Sequence, residues 1–339
     1  MNTRHLVDPE LLPYLEDFAP SRSFRELVSQ LKTGDAGLLA KVSIMRERLP
    51  EIRANDNEAS DPMAAAASDY PDIEVTTRRI PGPDGAPDVR IVFYRPKASS
   101  ELLPALLWLH GGGYMLGRAY ETDPFLHRIA HTVQCAAISA DYRLAPETQH
   151  PGPVEDCFAA LSWLREHAAT LGVNSNRLAI GGDSAGGGLA ANLALLTRDR
   201  GAVLPVFELL IYPMLDDRTV TATDLNPYVG EFVWTREYNA LGWAALLGQE
   251  PGGTDVPAYA AAARAQDLTG LPPTFIGVGT LDLFLEEDME YARRLLRSGV
   301  PTELRVYPRA THGFMNAPAA SGRMLMRDCM DALGRAFHS

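Results

Sequence analysis

The sequence predicts an α/β architecture, a mainly parallel central sheet with helices on both faces. Two observations carry this. From residue 105 onward, apolar runs of strand length alternate with segments of helical period, the order that parallel strands joined by helical crossovers require. Upstream, the alternating segments Ile73-Glu74-Val75-Thr76 and Val89-Arg90-Ile91-Val92-Phe93-Tyr94 flank Pro81-Gly82-Pro83-Asp84-Gly85, which predicts an antiparallel hairpin. A chain of 339 residues could form two domains, but sheets of this class often run that long as one unit, and 46% hydrophobic residues fill a large core.

In chain order, residues 9–48 place Leu11, Leu12, Leu15, Phe18, Phe24, Leu27, Val28 and Leu31 at helical spacing, broken at Pro20 and Gly34, which predicts two or three short amphipathic helices. Residues 55–67 are polar and rich in small residues, the composition of a linker or mobile loop. After the hairpin, strands are expected at 105–109, 136–140, 178–181, 206–212, 274–278 and 302–307. Helices are expected at 154–168, 185–197, 286–296 and 323–337, and no internal repeat is evident. Residues 219–247 interrupt the alternation with Tyr228, Phe232, Val233, Trp234, Tyr238, Leu241 and Trp243. Taken one at a time, the aromatics among them read most simply as ordinary core.

Composition narrows the functional classes. Thirty-one basic against 43 acidic residues give a net charge of −12 with no basic cluster, which argues against a nucleic-acid partner. Cys135, Cys157 and Cys329 are scattered and odd in number, offering neither metal spacing nor a disulfide framework; they read as reduced, mostly buried thiols of a cytoplasmic protein. The first residues lack the apolar core of a signal peptide and no run is long enough to span a bilayer, so neither secretion nor a membrane span is expected.

The chemistry concentrates beyond strand ends. Gly182-Asp183-Ser184-Ala185-Gly186 links the apolar run 178–181 to a helical run, the setting of a nucleophile elbow, in which glycines two residues either side of the serine let strand and helix approach. Such a pattern also arises in phosphate loops and simple turns. Ahead of it, His110-Gly111-Gly112-Gly113 follows the run 105–109 and offers bare main-chain N–H groups of the kind that stabilise a tetrahedral oxyanion, each worth about 3 to 4 kcal/mol in the transition state. Asp282 follows the strand at 274–278, and His312 follows the strand at 302–307. The chain order Ser184, Asp282, His312 is that of the α/β-hydrolases and differs from the other common serine-hydrolase orders.

Each of these residues has competitors. Asp282 could be the N-cap of the helix that follows, whose Glu286, Glu287 and Asp288 are expected to face solvent or cap its first turn. His127, His131 and His167 lie in helical patterns, His5 and His338 near the termini, and His150 in a turn with Pro151; His110 reads as holding the glycine loop through the backbone. Asp183, adjacent to the serine, cannot easily reach the far nitrogen of the histidine and reads as structural.

Taken together, His110 to Gly113, Tyr142-Arg143-Leu144-Ala145-Pro146-Glu147, His150-Pro151, Gly182 to Gly187, Tyr212-Pro213, Asp282 and His312-Gly313-Phe314 resemble the hormone-sensitive-lipase-like group of α/β-hydrolases, the bacterial family IV carboxylesterases, over most of the chain from about residue 70. Two details depart from that group's usual pattern: Gly152 replaces a bulkier residue, and Asp282 is followed by leucine instead of proline. The resemblance implies an α/β-hydrolase fold with an N-terminal helical cap segment over 1–50 and a catalytic domain over 70–339, carrying a cap insertion at about 219–247. It implies catalysis by Ser184, Asp282 and His312, an oxyanion hole from the N–H groups of Gly112, Gly113 and Ala185, and support from His110, Gly111 and Asp183. Tyr142 and Arg143 would brace that loop, while Glu155 and Asp156 read as a solvated helix start.

The activity implied is hydrolysis of short- to medium-chain acyl esters, small-molecule substrates, through an acyl-enzyme, with no metal or organic cofactor. A homodimer, through segments such as 302–307 and 323–337, is plausible on the same resemblance. Amide or lactone hydrolysis with the same triad, or a non-catalytic small-molecule receptor on the same fold, are the alternatives.

Overall fold

A computed structural model describes residues 3–32, 36–58, 69–99, 101–224 and 226–338. Its eight strands are β1 (Ile73–Ile80), β2 (Val89–Pro96), β3 (Leu103–Leu109), β4 (Ala136–Asp141), β5 (Val173–Asp183), β6 (Phe207–Ile211), β7 (Thr274–Gly279) and β8 (Thr302–Tyr307). They form one sheet in the order β1-β2-β4-β3-β5-β6-β7-β8. β2 runs antiparallel to both β1 and β4, and all other pairs are parallel, from Ala105 beside Ala136 across to Gly279 beside Tyr307.

The principal helices are α1 (Arg22–Lys32), α2 (Leu38–Glu58), α3 (Asp123–Val133), α4 (Gly152–Glu166), α5 (Ala185–Asp199), α6 (Arg236–Leu247), α7 (Leu285–Arg297) and α8 (Ala320–His338). Alternate residues of the central strands enter two separate cores, as the pleat requires. Ala105, Leu107 and Leu109 join the core under α4, α5 and α7, whereas Leu106 and Trp108 join the one under α3 and α8. Parallel strands therefore read as continuous apolar runs because both faces are covered.

Several elements differ from the sequence expectation. β5 begins at Val173, five residues before 178, because its polar start, Asn174 to Arg177, hides it from an apolar pattern; only Val173 pairs there, with Leu103, before the register shifts. α3 was not among the expected helices: a proline in its first turn and two histidines obscure a face that nonetheless buries Phe125, Leu126, Ile129 and Val133. α2 runs on to Glu58 through Pro50, past the expected end near residue 48 and into the expected linker at 55–67, of which residues 59–67 lie outside the described residues. Gly34, expected as a helix break, also lies outside them.

The N-terminal helices and the 219–247 insertion meet. α2 packs on α6, Lys32 pairs with Glu237 at 2.5 Å, and the rings of Phe24 and Tyr238 approach to 5.7 Å edge to face. All three cysteines are buried and unpaired. No described helix is long and apolar enough to cross a membrane.

Candidate active site

β3, β5, β7 and β8 all end on the same side of the sheet, and the loops leaving them carry the residues of the expected site. At the end of β5, Ser184 sits at φ 54°, ψ −121°, a conformation rarely open to a residue with a side chain and costing about 1 to 3 kcal/mol. The turn is held because Ser184 N–H donates to Ile211 C=O at 2.9 Å and its carbonyl accepts from Gly188 and Met214 N–H groups. The flanking glycines are sterically obligatory. A Cβ on Gly182 would lie 2.3 Å from the Gly186 backbone, and one on Gly186 would lie 2.0 Å from the Leu109 carbonyl oxygen.

Tertiary folding joins Ser184 to the two other residues of the expected triad. Ser184 Oγ lies 2.9 Å from His312 Nε2, and His312 Nδ1 lies 2.8 Å from Asp282 Oδ2, across 128 and 30 residues of chain. Asp282 is wholly buried, and Ser184 and His312 nearly so. Asp282 does not take the rival role of N-cap: Phe284 stands at that position, and the other Asp282 oxygen accepts the Phe284 N–H at 3.0 Å just ahead of α7. The His312 ring is clamped between Tyr212, Phe284 and Trp234, with ring centroids 4.6, 5.2 and 6.4 Å away. A neutral histidine that donates from Nδ1 to a buried carboxylate presents a bare Nε2 to the hydroxyl, which is what a general base needs.

The glycine loop after β3 lies against the same turn. Gly112 and Gly113 have φ of 114° and 61°, and a Cβ on Gly113 would penetrate the Trp234 ring at 2.0 Å. Among the described residues, the N–H groups of Gly112, Gly113 and Ala185 donate no hydrogen bond, and Ala185 opens α5, where the first amides have no intrahelical partner. His110 is built into the loop from below. Its Nδ1 lies 2.8 Å from Gly111 C=O, Tyr142 donates to its carbonyl at 2.7 Å, and the Tyr142 ring stacks on it at 4.3 Å. Burial pushes the His110 imidazole below its ordinary pKa, so it is neutral at pH 7.

Asp183 touches the cavity, yet its Oδ1 is fully enclosed, and its Oδ2 would be 2.5 Å from any Cβ placed on Gly111. Burial pushes its carboxyl up to about 6, with the neighbouring His312 charge and backbone N–H groups pulling the other way. It makes no hydrogen bond to His312.

Two sequence readings are corrected here. Asp156, read as part of a solvated helix start, is fully buried and grips Arg143 through its backbone N–H at 2.9 Å and its guanidinium at 2.7 Å; this pair secures the loop after β4, while Glu155 holds Arg200 at 2.5 Å. Of the acids in α7, Glu286 is exposed as expected but Glu287 and Asp288 are buried. Glu287 accepts the Leu215 and Asp216 N–H groups at 2.7 and 3.2 Å and the Thr219 hydroxyl, tying the loop after β6 to the helix after Asp282; burial pushes its carboxyl far up. The other histidines stand apart from Ser184: His127 is bound to Asp123 C=O, His131 to Asp72 and His167 to Trp163 C=O.

Ser184, His312, Gly112 and Asp183 open into a cavity of about 540 Å³, roofed by Phe18, Pro20, Val233 and Trp234, with Arg53, Arg118, Tyr120 and Glu121 at its sides. Of the insertion aromatics, Trp234 faces this space, fixed by an Nε1 hydrogen bond to Asn239 at 3.2 Å, while Trp243 is core against Tyr114. Val233, at φ 65°, is a β-branched residue in left-handed backbone, locked by Trp234 N–H donating to Phe232 C=O at 2.8 Å. Arg53, Arg118, Tyr120 and Glu121 escaped sequence analysis. Only Arg118 carried a signal, its place directly after the glycine loop. No group of three or more metal-binding side chains occurs among the described residues.

A family model described as alpha/beta hydrolase fold matches residues 106–316. The carboxylesterase NlhH of Mycobacterium tuberculosis is 36% identical over 285 residues, covering 79% of this chain and 85% of the relative. Esterase LipI of the same organism is 33% identical over 260 residues, covering 74% and 79%. Among solved structures, a bacterial heroin esterase superposes with a TM-score of 0.84 at 37% identity, each chain covered in full.

Proposed function

Since the chain belongs to the α/β-hydrolase fold family, in its hormone-sensitive-lipase-like group, and is a serine carboxylesterase, we propose that it hydrolyses esters of short- to medium-chain acids through an acyl-enzyme on Ser184. The observation that carries this reading is the unbroken hydrogen-bonded series Ser184 Oγ, His312, Asp282, buried except where it opens into the cavity.

Ser184 Oγ attacks the ester carbonyl as His312 Nε2 takes its proton, and Asp282 stabilises the resulting imidazolium without itself accepting the proton. The carbonyl oxygen becomes an oxyanion, received by the N–H groups of Gly112, Gly113 and Ala185, which donate to no other group among the described residues. Collapse of the tetrahedral species breaks the bond to the alcohol, which leaves with the proton from His312. Water then repeats the sequence on the acyl-enzyme, with His312 as base and Ser184 as the leaving group. The apolar roof of Phe18, Val233 and Trp234 over a cavity of about 540 Å³ favours acyl chains of modest length. In this reading the N-terminal helices and residues 219–247 together are the cap, as the Lys32–Glu237 pair and the packing of α2 on α6 support.

The buried, unpaired thiols suit a cytoplasmic enzyme, and β8, an edge strand, offers a pairing surface for a homodimer. Cell fractionation and light scattering respectively test these. The activity itself is tested with 4-nitrophenyl butyrate: turnover falls by about 10³-fold or more in Ser184→Ala, and a fluorophosphonate labels the wild-type protein stoichiometrically. Equal rates in the two proteins would end this assignment.

A further inference from the structure

Two arginines line the cavity over Ser184, and the protein treats them differently. Arg53 is engaged on every side: Nε donates to Met115 C=O at 2.7 Å, and the terminal nitrogens reach Ala145 C=O at 2.7 Å and the Glu147 carboxylate at 2.7 and 3.2 Å. Arg118 is half-buried in the same cavity, and its side chain makes no hydrogen bond or ion pair with any described residue. The acidic residues on the same lining are Asp17, Glu121 and Asp183, and among the described residues none of them forms an ion pair with it. Asp141, at the end of β4, is taken by Arg90 at 3.1 Å and by the Ala119 N–H at 2.6 Å.

The mount under Arg118 is rigid. Gly117 before it has φ 92°, and a Cβ there would lie 2.4 Å from His110 Nδ1; Ala119 after it is pinned by Asp141. A guanidinium keeps its charge at any working pH and presents five donors in a planar fork matched to a carboxylate. Donors of this kind are satisfied by water while a cavity is open to solvent. Substrate entry displaces that water, and a ligand without an acceptor leaves the donors poorly satisfied, whereas a carboxylate restores charge-assisted hydrogen bonds. The chain's net charge of −12 does nothing to gather anions, so such a preference arises inside the cavity.

We infer that Arg118 selects substrates bearing a carboxylate some bonds away from the scissile carbonyl, either half-esters of dicarboxylic acids or esters of carboxylated alcohols. This rests on the esterase reading above. The test measures kcat and KM for 4-nitrophenyl hemiglutarate and its neutral methyl ester, and for the butyrate ester of 4-hydroxybenzoate and its methyl ester, in wild type, Arg118→Gln, Arg118→Lys and Ser184→Ala.

In Arg118→Gln, the ratio of kcat/KM for anionic to neutral substrate falls about ten-fold or more, mainly through KM, for whichever pair carries its charge on the side Arg118 faces. Arg118→Lys restores part of it, and added salt weakens the wild-type ratio. Ratios that stay within two-fold of wild type for both pairs, with hydrolysis still dependent on Ser184, overturn this inference alone. Hydrolysis that survives Ser184→Ala overturns the underlying reading and this inference with it.

Discussion

The floor and the roof of the Ser184 cavity are built on different physics. The floor is backbone: at Gly182 and Gly186 an added Cβ would lie 2.3 and 2.0 Å from main-chain atoms, so one residue type is admissible. The roof is side chain: Phe18, Pro20, Val233 and Trp234 come from two segments more than 200 residues apart, and other apolar residues could fill the same volume. Chemistry is thereby confined to positions that tolerate nothing else, while selectivity rests where substitution is tolerated. Changes to the floor are expected to act on kcat and folding, and changes to the roof on KM and substrate range.

The largest effect expected, after loss of Ser184, is at the acid. Asp282→Asn keeps the shape but favours the wrong histidine tautomer, and kcat for 4-nitrophenyl butyrate should fall by about 10³- to 10⁴-fold with little change in KM. A fall of less than ten-fold would remove Asp282 from the floor. Next comes Gly186→Ala, whose methyl group meets the Leu109 carbonyl oxygen at 2.0 Å and the His110 carbonyl oxygen at 2.4 Å. A loss of about 3 kcal/mol or more in denaturant unfolding, together with loss of turnover, is expected; a fully stable, active variant would show the floor to be more plastic than its geometry implies.

On the roof, Trp234→Ala opens the space over Gly113 and should raise KM for butyrate about ten-fold while shifting preference toward longer acyl chains. A drop in kcat alone, with chain-length preference intact, would erase the distinction between roof and floor.

The smallest effect serves as a control far from both. Glu208 on β6 is fully buried, with one oxygen accepting the Thr274 hydroxyl at 3.0 Å and the other without a hydrogen bond among the described residues, and burial pushes its carboxyl up to about 8 from 4.5. Because the folded protein holds that proton more tightly than the unfolded chain does, stability from this group is present below pH about 4.5 and is lost as pH rises toward about 8. Glu208→Gln should therefore gain Tm over wild type progressively between pH 5 and pH 8 without altering KM. Parallel Tm curves would show that Glu208 is not held neutral.

The sheet was legible because a strand covered on both faces must be apolar throughout, as Ala105 to Leu109 and Phe275 to Val278 are. The hairpin was legible from alternation alone, and its register, Ile73 opposite Pro96 to Ile80 opposite Val89, follows the turn between its strands. α3 was not, because His127, buried against the ring of Tyr94, fills a core position with a residue that reads as polar. The acids of helix first turns misled for the same reason. Asp156 and Glu287 resemble solvated helix starts in sequence, and only Arg143 and the amides of Leu215 and Asp216, 13 and about 70 residues away, make their burial tolerable.

Sequence alone determined where the backbone turns sharply beyond each strand and which serine, aspartate and histidine stand in those turns, the three to which the proposed mechanism gives the roles of nucleophile, acid and base, since glycine spacing and strand period are local steric facts. Tertiary structure decided what surrounds them: that the Arg53 guanidinium is neutralised and that of Arg118 is not, that Trp234 seals Gly113 while Trp243 is core, and that Glu287 ties the loop after β6 to the helix after Asp282. Those choices depend on atoms brought together from distant parts of the chain, and the energy of a charge or a ring is fixed by its neighbours in space.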